Sequence, residues 1–471
     1  AGRLYLAPQG EVRVTGGTFR NLAFNDSNGN PRESLSFAGG RLVASGGTYV
    51  PAVADNNFND GEACFDNDAQ VVGTGSSVIL MAPEGGVTSR VAFCGASVKG
   101  ASGALRMGGT AGGTSIMDMG STATHTSFGW NMRVGCDYGT AILNMSDGTL
   151  PVGYQGFEFG TGSTKVDGAV RGVLNMSKGK ISYTGGNIYD WSTTGRPLGL
   201  LIGYGGYTTA TSGRSYEGEV NLSGGELVNA YGHTLIGAGF AKGSWKQTGG
   251  SFKNSYAGAL YGCGMIGAFG GEGALEMAGG TFDFASTMYV GGGRTNDLVK
   301  GASYAGSGLP ANRHDAQGFL TFSGGTMTFR GKLVVGSNGK GVLTRSGSLG
   351  TLSVNDLQLA CQKVDEGLLT ESQTEAVLRF VLDAEGIGAI TAARATLADG
   401  TEIEIDYSAY QGNKRRFKII DTAALSADPS KLVVRFKDDS GRGLDRNARL
   451  IANDNGLYAA FAPQGIMMIV R

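Results

Sequence analysis

Asp and Asn side chains alternate between residues 55 and 68 of this 471-residue chain. Such a stretch resembles a calcium loop, because Ca²⁺ prefers carboxylate and amide oxygens as ligands. For an EF-hand, however, the glycine falls one place late and no Glu follows at the required distance. A solvated turn is the alternative, since Asn, Asp and Gly are ordinary turn residues. Calcium is the only cofactor that the sequence suggests, with these candidate ligands: Asp55, Asn57, Asn59, Asp60, Asp66 and Asp68.

Residues that could support catalysis are scattered. A glycoside hydrolase needs at least a pair of carboxylates on one face, but no repeated acidic column is found. The three histidines, His125, His233 and His314, are isolated and are interpreted as turn or surface residues. Glycine-rich stretches such as 267–273 match a nucleotide-binding loop only weakly. We therefore expect no enzymatic activity and no catalytic residues; a polysaccharide lyase or hydrolase is the alternative.

The five cysteines lie far apart, with no CxxC pair and no His at metal-ligand spacing. Zinc and redox-motif sites are therefore disfavoured. Because the count is odd, at least one thiol is free or pairs with another molecule if the protein is oxidised. Most are expected to be small buried hydrophobes, and Cys64 with Cys94 is the one disulfide to test. The full set is Cys64, Cys94, Cys136, Cys263 and Cys361.

Two long insertions, 203–218 and 291–318, are rich in Gly, Tyr, Ser and Thr. Loops that project from a rigid scaffold are common binding sites. Tyrosines that anchor the loops by packing within them are an equal alternative. The candidate binding residues are Tyr204, Tyr207, Tyr216 and Tyr304.

The elements that would position these residues are set by a repeat. We name it the Ser-Gly-Gly motif: apolar-x-apolar, then Ser, Thr or Ala, then Gly-Gly or a variant, then a second apolar alternation. A second motif, an apolar run closed by Gly, follows it, as at 235–237 and 333–336. Eight copies of the first motif occupy residues 12–19, 35–42, 143–150, 174–181, 220–227, 245–252, 275–282 and 320–327.

A unit of about 25 residues with variable insertions fits this spacing. Period-two alternation turns one side of each strand inward, and glycine supplies the positive φ that sharp corners need. Each unit therefore reads as about three short strands, and the units predict an all-β solenoid, a parallel β-helix. An antiparallel sandwich or barrel is the alternative, but it has no reason to repeat one motif so closely.

Composition narrows the class of protein. Glycine accounts for 83 residues without a Gly-X-Y period, which excludes collagen. Lys plus Arg is 39 against 40 for Asp plus Glu, so we expect no nucleic-acid partner. No apolar run is long enough for a membrane-spanning helix. The first residue is Ala1, which suggests a mature secreted product, although a cloned fragment would begin in the same way.

The motif divides the chain into three regions. Residues 1–130 are expected to form an N-terminal cap and irregular coils, and 131–352 the regular glycine-rich coils. After residue 352 glycine thins and charge rises, which predicts a C-terminal β-rich cap or small β-sandwich over 353–471. Within it, residues 378–382 are predicted to form a strand, and the stretch 370–382 could start as a helix with Thr370 and Gln373 as a capping box.

The Ser-Gly-Gly motifs, the segments 378–390 and 417–421 and the closing 455–458 together resemble secreted bacterial proteins with autotransporter-associated β-strand repeats. The resemblance covers most of residues 130–471. It implies a right-handed β-helix, a location outside the cell or at its surface, and an adhesive or structural role. The sequence departs from true autotransporters in lacking a C-terminal membrane barrel, so we expect a passenger-like chain.

We therefore expect a non-enzymatic extracellular rod that acts in adhesion or in a self-assembled surface fibre or layer. A polysaccharide-binding or polysaccharide-degrading β-helix protein is the alternative. Expected partners are glycans or cell-surface molecules and a second copy joined end to end, because apolar alternations near both termini could add strands to a neighbour. Those assembly strands contain Leu4, Leu6, Ile466, Met468 and Val470; the alternative is that they close their own caps.

Overall fold

The fold is known from a computed structural model. It describes these residues: 4–6, 8–20, 23–25, 31–33, 35–37, 40–46, 48–50, 61–73, 77–81, 86–100, 104–108, 112–120, 131–136, 139–153, 156–161, 168–183, 199–205, 215–256, 263–292, 316–337, 339–359, 375–440 and 448–461. Within them the only helical element is a 3-10 turn at Pro429–Lys431, so the predicted all-β class is confirmed.

The strands are numbered along the chain. The first fifteen are β1 Leu4–Leu6, β2 Glu11–Val14, β3 Thr18–Arg20, β4 Ala23–Asn25, β5 Pro31–Glu33, β6 Leu35–Phe37, β7 Gly40–Ser45, β8 Thr48–Val50, β9 Gly61–Asp66, β10 Gln70–Gly73, β11 Ser77–Met81, β12 Thr88–Cys94, β13 Ser97–Gly100, β14 Ala104–Met107 and β15 Thr114–Gly120.

The middle of the chain continues with β16 Asn131–Cys136, β17 Gly139–Met145, β18 Thr149–Val152, β19 Gly156–Thr161, β20 Ala169–Met176, β21 Lys180–Tyr183, β22 Gly199–Tyr204, β23 Ser215–Leu222, β24 Glu226–Asn229, β25 His233–Ala238, β26 Lys242–Gln247, β27 Ser251–Asn254, β28 Gly264–Ala268, β29 Glu272–Met277, β30 Thr281–Phe284, β31 Met288–Val290, β32 Gln317–Phe322, β33 Thr326–Val335, β34 Lys340–Ser346 and β35 Thr351–Leu359.

The last strands are β36 Glu375–Val381, β37 Ile390–Leu397, β38 Glu402–Asp406, β39 Arg416–Asp421, β40 Leu425–Ser426, β41 Val433–Lys437, β42 Ala448–Asn453 and β43 Gly456–Phe461. The segment 375–381 is therefore a strand. This agrees with the strand predicted for 378–382, and alternate residues of the segment pack into the core. Thr370 and Gln373, the predicted start of a helix, lie outside the described residues.

Two long sheets contain most of the described strands. The first sheet has fifteen strands in the order β2-β7-β9-β12-β15-β17-β20-β23-β26-β29-β32-β34-β36-β38-β41, all paired in parallel. The second sheet has twenty strands, from β11 to β43. Smaller sheets near the N-terminus pair β1 with β6, β4 with β5, and β3, β8, β10 and β13 with one another.

One coil contains one strand of the first sheet and two of the second. Strand β23 is followed by β24 and β25, and the next coil repeats the path as β26, β27 and β28. Each strand pairs in parallel with its counterpart one coil later: β23 with β26, β24 with β27, and β25 with β28. The predicted parallel β-helix with about three strands per coil is confirmed. In later coils the last two strands merge, as in β33.

In seven of its eight copies the Ser-Gly-Gly motif marks the corner between the first and second strands of a coil, whereas the copy 35–42 lies between β6 and β7. In those seven copies the second glycine has positive φ, as at Gly225 with φ of 78°. Three of its serine hydroxyls, those of Ser146, Ser223 and Ser323, donate to a carbonyl oxygen of the previous coil. Ser146 Oγ lies 3.1 Å from Met119 O, and Ser223 Oγ lies 3.3 Å from Met176 O. The motif thus turns the chain, and these serines join their corners to the previous coil.

The glycine of the second motif marks the corner that leads into the next coil. Gly237 has φ of 67°, and a Cβ atom placed on it would lie 1.8 Å from Glu272 O. Backbones of successive coils approach too closely here for any side chain. This explains why each apolar run ends in glycine.

The core lies between the sheets and runs along the axis as stacked columns. One column of the first sheet is buried over nine consecutive coils: Leu143, Leu174, Val220, Trp245, Leu275, Leu320, Leu343, Leu378 and Ile403. Each member contacts the members above and below it, so the hydrophobic stabilisation accumulates coil by coil.

The parallel ladders cross residue 352 without a break, and β35 itself spans that position. The change in composition there therefore does not coincide with a change in architecture. The capping part begins later: β43 pairs antiparallel with β39 and with β42 at the end of the second sheet. At the other end, β7, β9 and β12 continue the first sheet through the region where the motif is weakest.

The turn 347–350, between β34 and β35, is stabilised by the buried side chain of Arg345. Arg345 points into the core, and its guanidinium donates to Leu349 O at 2.7 Å and to Gly388 O at 3.2 Å. Burial lowers the pKa of Arg345 to about 10, and the nearby Asp383 opposes that shift. Asp383 accepts hydrogen bonds from Ser348 N and Oγ, at 2.7 and 2.9 Å. Together these two side chains fix the turn 347–350.

Candidate functional sites on the solenoid surface

The outer face of the first sheet carries columns of polar side chains in register. In one column Asn221 Nδ2 donates to Asn175 Oδ1, Asn175 Nδ2 donates to Asn144 Oδ1, and Asn144 Nδ2 donates to Asp118 Oδ1. The three distances are between 2.8 and 2.9 Å. These amides satisfy one another along the axis, so this column stabilises the stack.

Ion pairs join neighbouring coils on the same face. Arg171 Nη2 lies 2.8 Å from Glu219 Oε2, and Lys340 Nζ lies 2.7 Å from Glu375 Oε1. Arg435 Nε lies 2.6 Å from Glu402 Oε1. Each exposed pair adds little stability alone, but together they balance the charge of the face along the rod.

A groove of about 510 Å³ lies on this face at the last three coils. Its volume falls within the range of small-ligand clefts. The charged side chains are paired with each other, Arg379 with Glu404 and Lys437 with Asp406. The lining residues are Arg379, Val381, Glu404, Ile405, Asp406, Arg435 and Lys437. Charged donors and acceptors around a small apolar floor can bind the hydroxyl groups of a neutral sugar.

Three long segments leave the coils at one corner. Segments 206–214, 293–315 and 360–374 each follow a second-sheet strand and return at a first-sheet strand, namely β23, β32 and β36. The segments themselves lie outside the described residues. Their attachment points share one edge of the rod: β23 and β32 are three coils apart, and β32 and β36 are two coils apart.

Two of the candidate tyrosines lie at the base of the first segment and are buried. Tyr204 ends β22 and is 1% exposed, and Tyr216 lies in β23 and is 6% exposed. The prediction that these two tyrosines project for binding is therefore wrong. Their rings pack against the coils, as in the alternative in which they anchor the loops. Tyr207 and Tyr304 lie outside the described residues.

The calcium candidates are only partly described. Asp66 ends β9, and Asn67 Nδ2 donates to its carboxylate at 3.2 Å. Asp68 follows in a turn with φ of 64°. Residues 55, 57, 59 and 60 lie outside the described part, and the calcium site stays a prediction. Among the described residues, no group of three His, Cys, Asp or Glu side chains could hold a metal ion.

Cys64 and Cys94 are free thiols on adjacent strands of the first sheet. Cys64 is opposite Ala92, so Cys94 lies two residues further along the strand. Such diagonal neighbours are about 7 to 8 Å apart, beyond the usual disulfide range without a backbone shift. The pairing stays a prediction. Cys136 and Cys263 are buried as expected for most of the set, and Cys361 lies outside the described residues.

His233 is buried, which the sequence did not predict. His233 begins β25 and is 1% exposed, so its surface interpretation is wrong. Its Nδ1 lies 3.2 Å from Cys263 Sγ, which is also buried. Burial lowers the pKa of His233 to about 4, so the imidazole is neutral. Such a pair has the composition of a nucleophile and base, but its burial suits packing. His125 and His314 lie outside the described residues.

The first predicted assembly strand has a partner within its own chain: Leu4 and Leu6 lie in β1, which pairs in parallel with β6. This agrees with the alternative in which the strand belongs to its own cap. Ile466, Met468 and Val470 lie outside the described residues. The described end strands of the first sheet are β2 and β41, and their core-facing residues Val12 and Phe436 are only half-buried.

Among the described residues, no helix is long and apolar enough to span a membrane. No protein-family model and no curated protein matches this chain.

Proposed function

We propose that this chain is a non-enzymatic extracellular rod of a bacterial surface, acting in adhesion or in an assembled fibre or layer. The observation that supports it best is the shared corner from which segments 206–214, 293–315 and 360–374 leave a continuous parallel ladder. A stiff scaffold keeps such segments at fixed spacing, which favours simultaneous binding to a repetitive surface.

Replacement of segment 293–315 by a short Gly-Ser linker tests this proposal. We expect the wild-type chain to bind glycans on an array or whole cells without releasing product, and the variant to lose that binding. The matched control replaces segment 184–198, which joins β21 to β22 at a different corner. Equal binding by the wild type and both variants would contradict the role of the shared corner.

The groove lined by Arg379, Glu404 and Arg435 supports a second candidate, a polysaccharide-binding β-helix protein. Its paired charges suit neutral sugars better than ionic ones. We expect Arg379→Ala to weaken binding of a neutral oligosaccharide, with Arg330→Ala on another face of the rod as the control. Release of new reducing or unsaturated ends from any polysaccharide would overturn the non-enzymatic proposal.

Assembly is tested separately. The end strands β2 and β41 belong to the same parallel sheet and leave core residues half-buried, which supports end-to-end stacking of copies. Negative-stain microscopy of the purified chain should show filaments. Monomeric particles at high concentration would contradict assembly and leave adhesion by single rods.

A further inference from the structure

The C-terminal cap presents an antiparallel face with an unusual charge. Arg416 of β39 and Arg449 of β42 are both opposite Ala460 of β43, and Lys418 is opposite Tyr458. Directly opposed residues of antiparallel strands point to the same side. The other side packs on the core through Phe417 and Ala459. Arg416, Lys418 and Arg449 therefore share the outer side of the cap.

We call this outer side the cap face; it comprises Arg416, Lys418 and Arg449. Lys414 and Arg415 lie at its edge, over the core-side rings of Phe417 and Phe461. Lys418 pairs with Asp421 at 2.7 Å. For the other four, no carboxylate of the described residues lies within ion-pair distance. Along the rod, by contrast, cations such as Arg171 and Lys340 pair with carboxylates of the next coil, Glu219 and Glu375. The cap face is thus a local excess of positive charge on a chain with a net charge of −1.

Two of the guanidinium groups lie over aromatic rings of the cap. The guanidinium of Arg416 lies 3.9 Å from the ring centre of Tyr458, and that of Arg415 lies 5.4 Å from that of Phe461. Tyr410 Oη accepts from Lys414 N at 2.7 Å and donates to Lys414 O at 3.2 Å. Rings that stack on guanidinium groups leave the N–H edges free for oxyanions and reduce the entropy lost on binding.

We propose that the cap face binds an acidic polysaccharide, with carboxylate or sulfate groups on Arg416 and Arg449. These residues are two strand spacings apart, about 10 Å. A polymer with regularly repeated acidic groups can bridge that distance, and a single small anion cannot. The preference for a polysaccharide over other polyanions rests on the proposed surface function; the preference for anions rests on the cap face alone.

The test compares the full-length chain with the double variant R416Q/R449Q. The control is K246Q/K253Q, which removes two exposed lysines from the rod and changes the net charge equally. Binding to immobilised heparin and to polygalacturonate is measured at low and physiological salt. We expect the cap variant to bind about tenfold more weakly and the control to stay within about twofold of wild type. The salt dependence should also weaken only in the cap variant.

Two results would overturn the proposal. One is binding that R416Q/R449Q leaves unchanged, or that K246Q/K253Q reduces equally. The other is a preference of the wild type for duplex DNA or anionic vesicles over both polysaccharides at the same salt. The two proposals can fail separately. The variant lacking segment 293–315 should lose the proposed binding to glycans or cells but still bind acidic polysaccharides through the cap face.

Discussion

Side-chain amides on the first sheet join neighbouring coils by hydrogen bonds. Asn175 donates to Asn144 and accepts from Asn221, each at 2.9 Å. Asn175→Ala removes both hydrogen bonds and leaves two half-buried amides without this partner, so we expect a loss of about 1 to 2 kcal/mol. Urea denaturation measures the change. Lys246→Ala, at an exposed position of the same column, is the control and should change stability by less than about 0.5 kcal/mol.

Glycine at the second corner is required by space as well as by conformation. In Gly237→Ala the new Cβ would meet Glu272 O at 1.8 Å, whereas at Gly400, also with positive φ, a Cβ meets no atom within 4 Å. We expect Gly400→Ala to cost about 1 kcal/mol and Gly237→Ala several times more. Thermal unfolding of both variants is the measurement. Equal costs would show that the coils can move apart.

His233 predicts a pH dependence of stability. Its pKa in the folded chain is about 4 because of burial, against an ordinary 6.5. The unfolded chain therefore binds the proton first as pH falls below 6.5, and stability is lost between pH 6.5 and 4. From pH 7 to 5 the loss from this residue is about 2 kcal/mol. Denaturation at both pH values should show a smaller loss in His233→Gln; identical losses would contradict the burial.

At the scale of elements, the sequence predicts where the corners of the coils lie. It predicts only in part which side chains are exposed on the faces and which are buried. The Ser-Gly-Gly motif fixes its corner because glycine adopts the positive φ at the lowest cost, as at Gly225. Tyr204 and Tyr216 were ambiguous because a tyrosine beside an insertion suits both binding and packing. The partnership of His233 with Cys263 depends on the register between β25 and the next coil, which spacing alone does not give.

The cap face shows the same limit. The run Lys414-Arg415-Arg416 is visible in the sequence and could have indicated a basic patch. Its continuation to Arg449 could not be seen, because it depends on two antiparallel pairings of β43. Charge does rise after residue 352, but cross-coil ion pairs such as Arg435 with Glu402 accommodate it within the same architecture.

The turn 347–350 depends on one buried side chain. In Arg345→Met the carbonyl oxygens of Leu349 and Gly388 lose their donor, while the neighbouring coils keep their ladder hydrogen bonds. We expect the local free energy of opening to fall by about 2 kcal/mol, or about thirtyfold faster hydrogen exchange over 345–350. Arg330→Met, which removes an exposed pair with Asp283, is the control. Exchange that accelerates equally in both variants would contradict this role.

At the scale of the whole molecule, parallel pairing makes the length of the rod proportional to the number of coils. Each coil contacts its neighbours and adds one strand spacing to the length, however many residues its insertions contain. The proposed functions depend on this property, because segments of very different length must return to the same edge. The fifteen strands of the first sheet give a length of about 70 Å along the axis.

The most direct test is the distance between spin labels in one outer column, with the native cysteines replaced. Thr114, Glu217, Gln317 and Glu375 share such a column at intervals of three, three and two coils. Measured from Thr114, we predict distances of about 14, 29 and 38 Å. Distances that do not increase in proportion to the number of coils would contradict the solenoid and every function proposed from it.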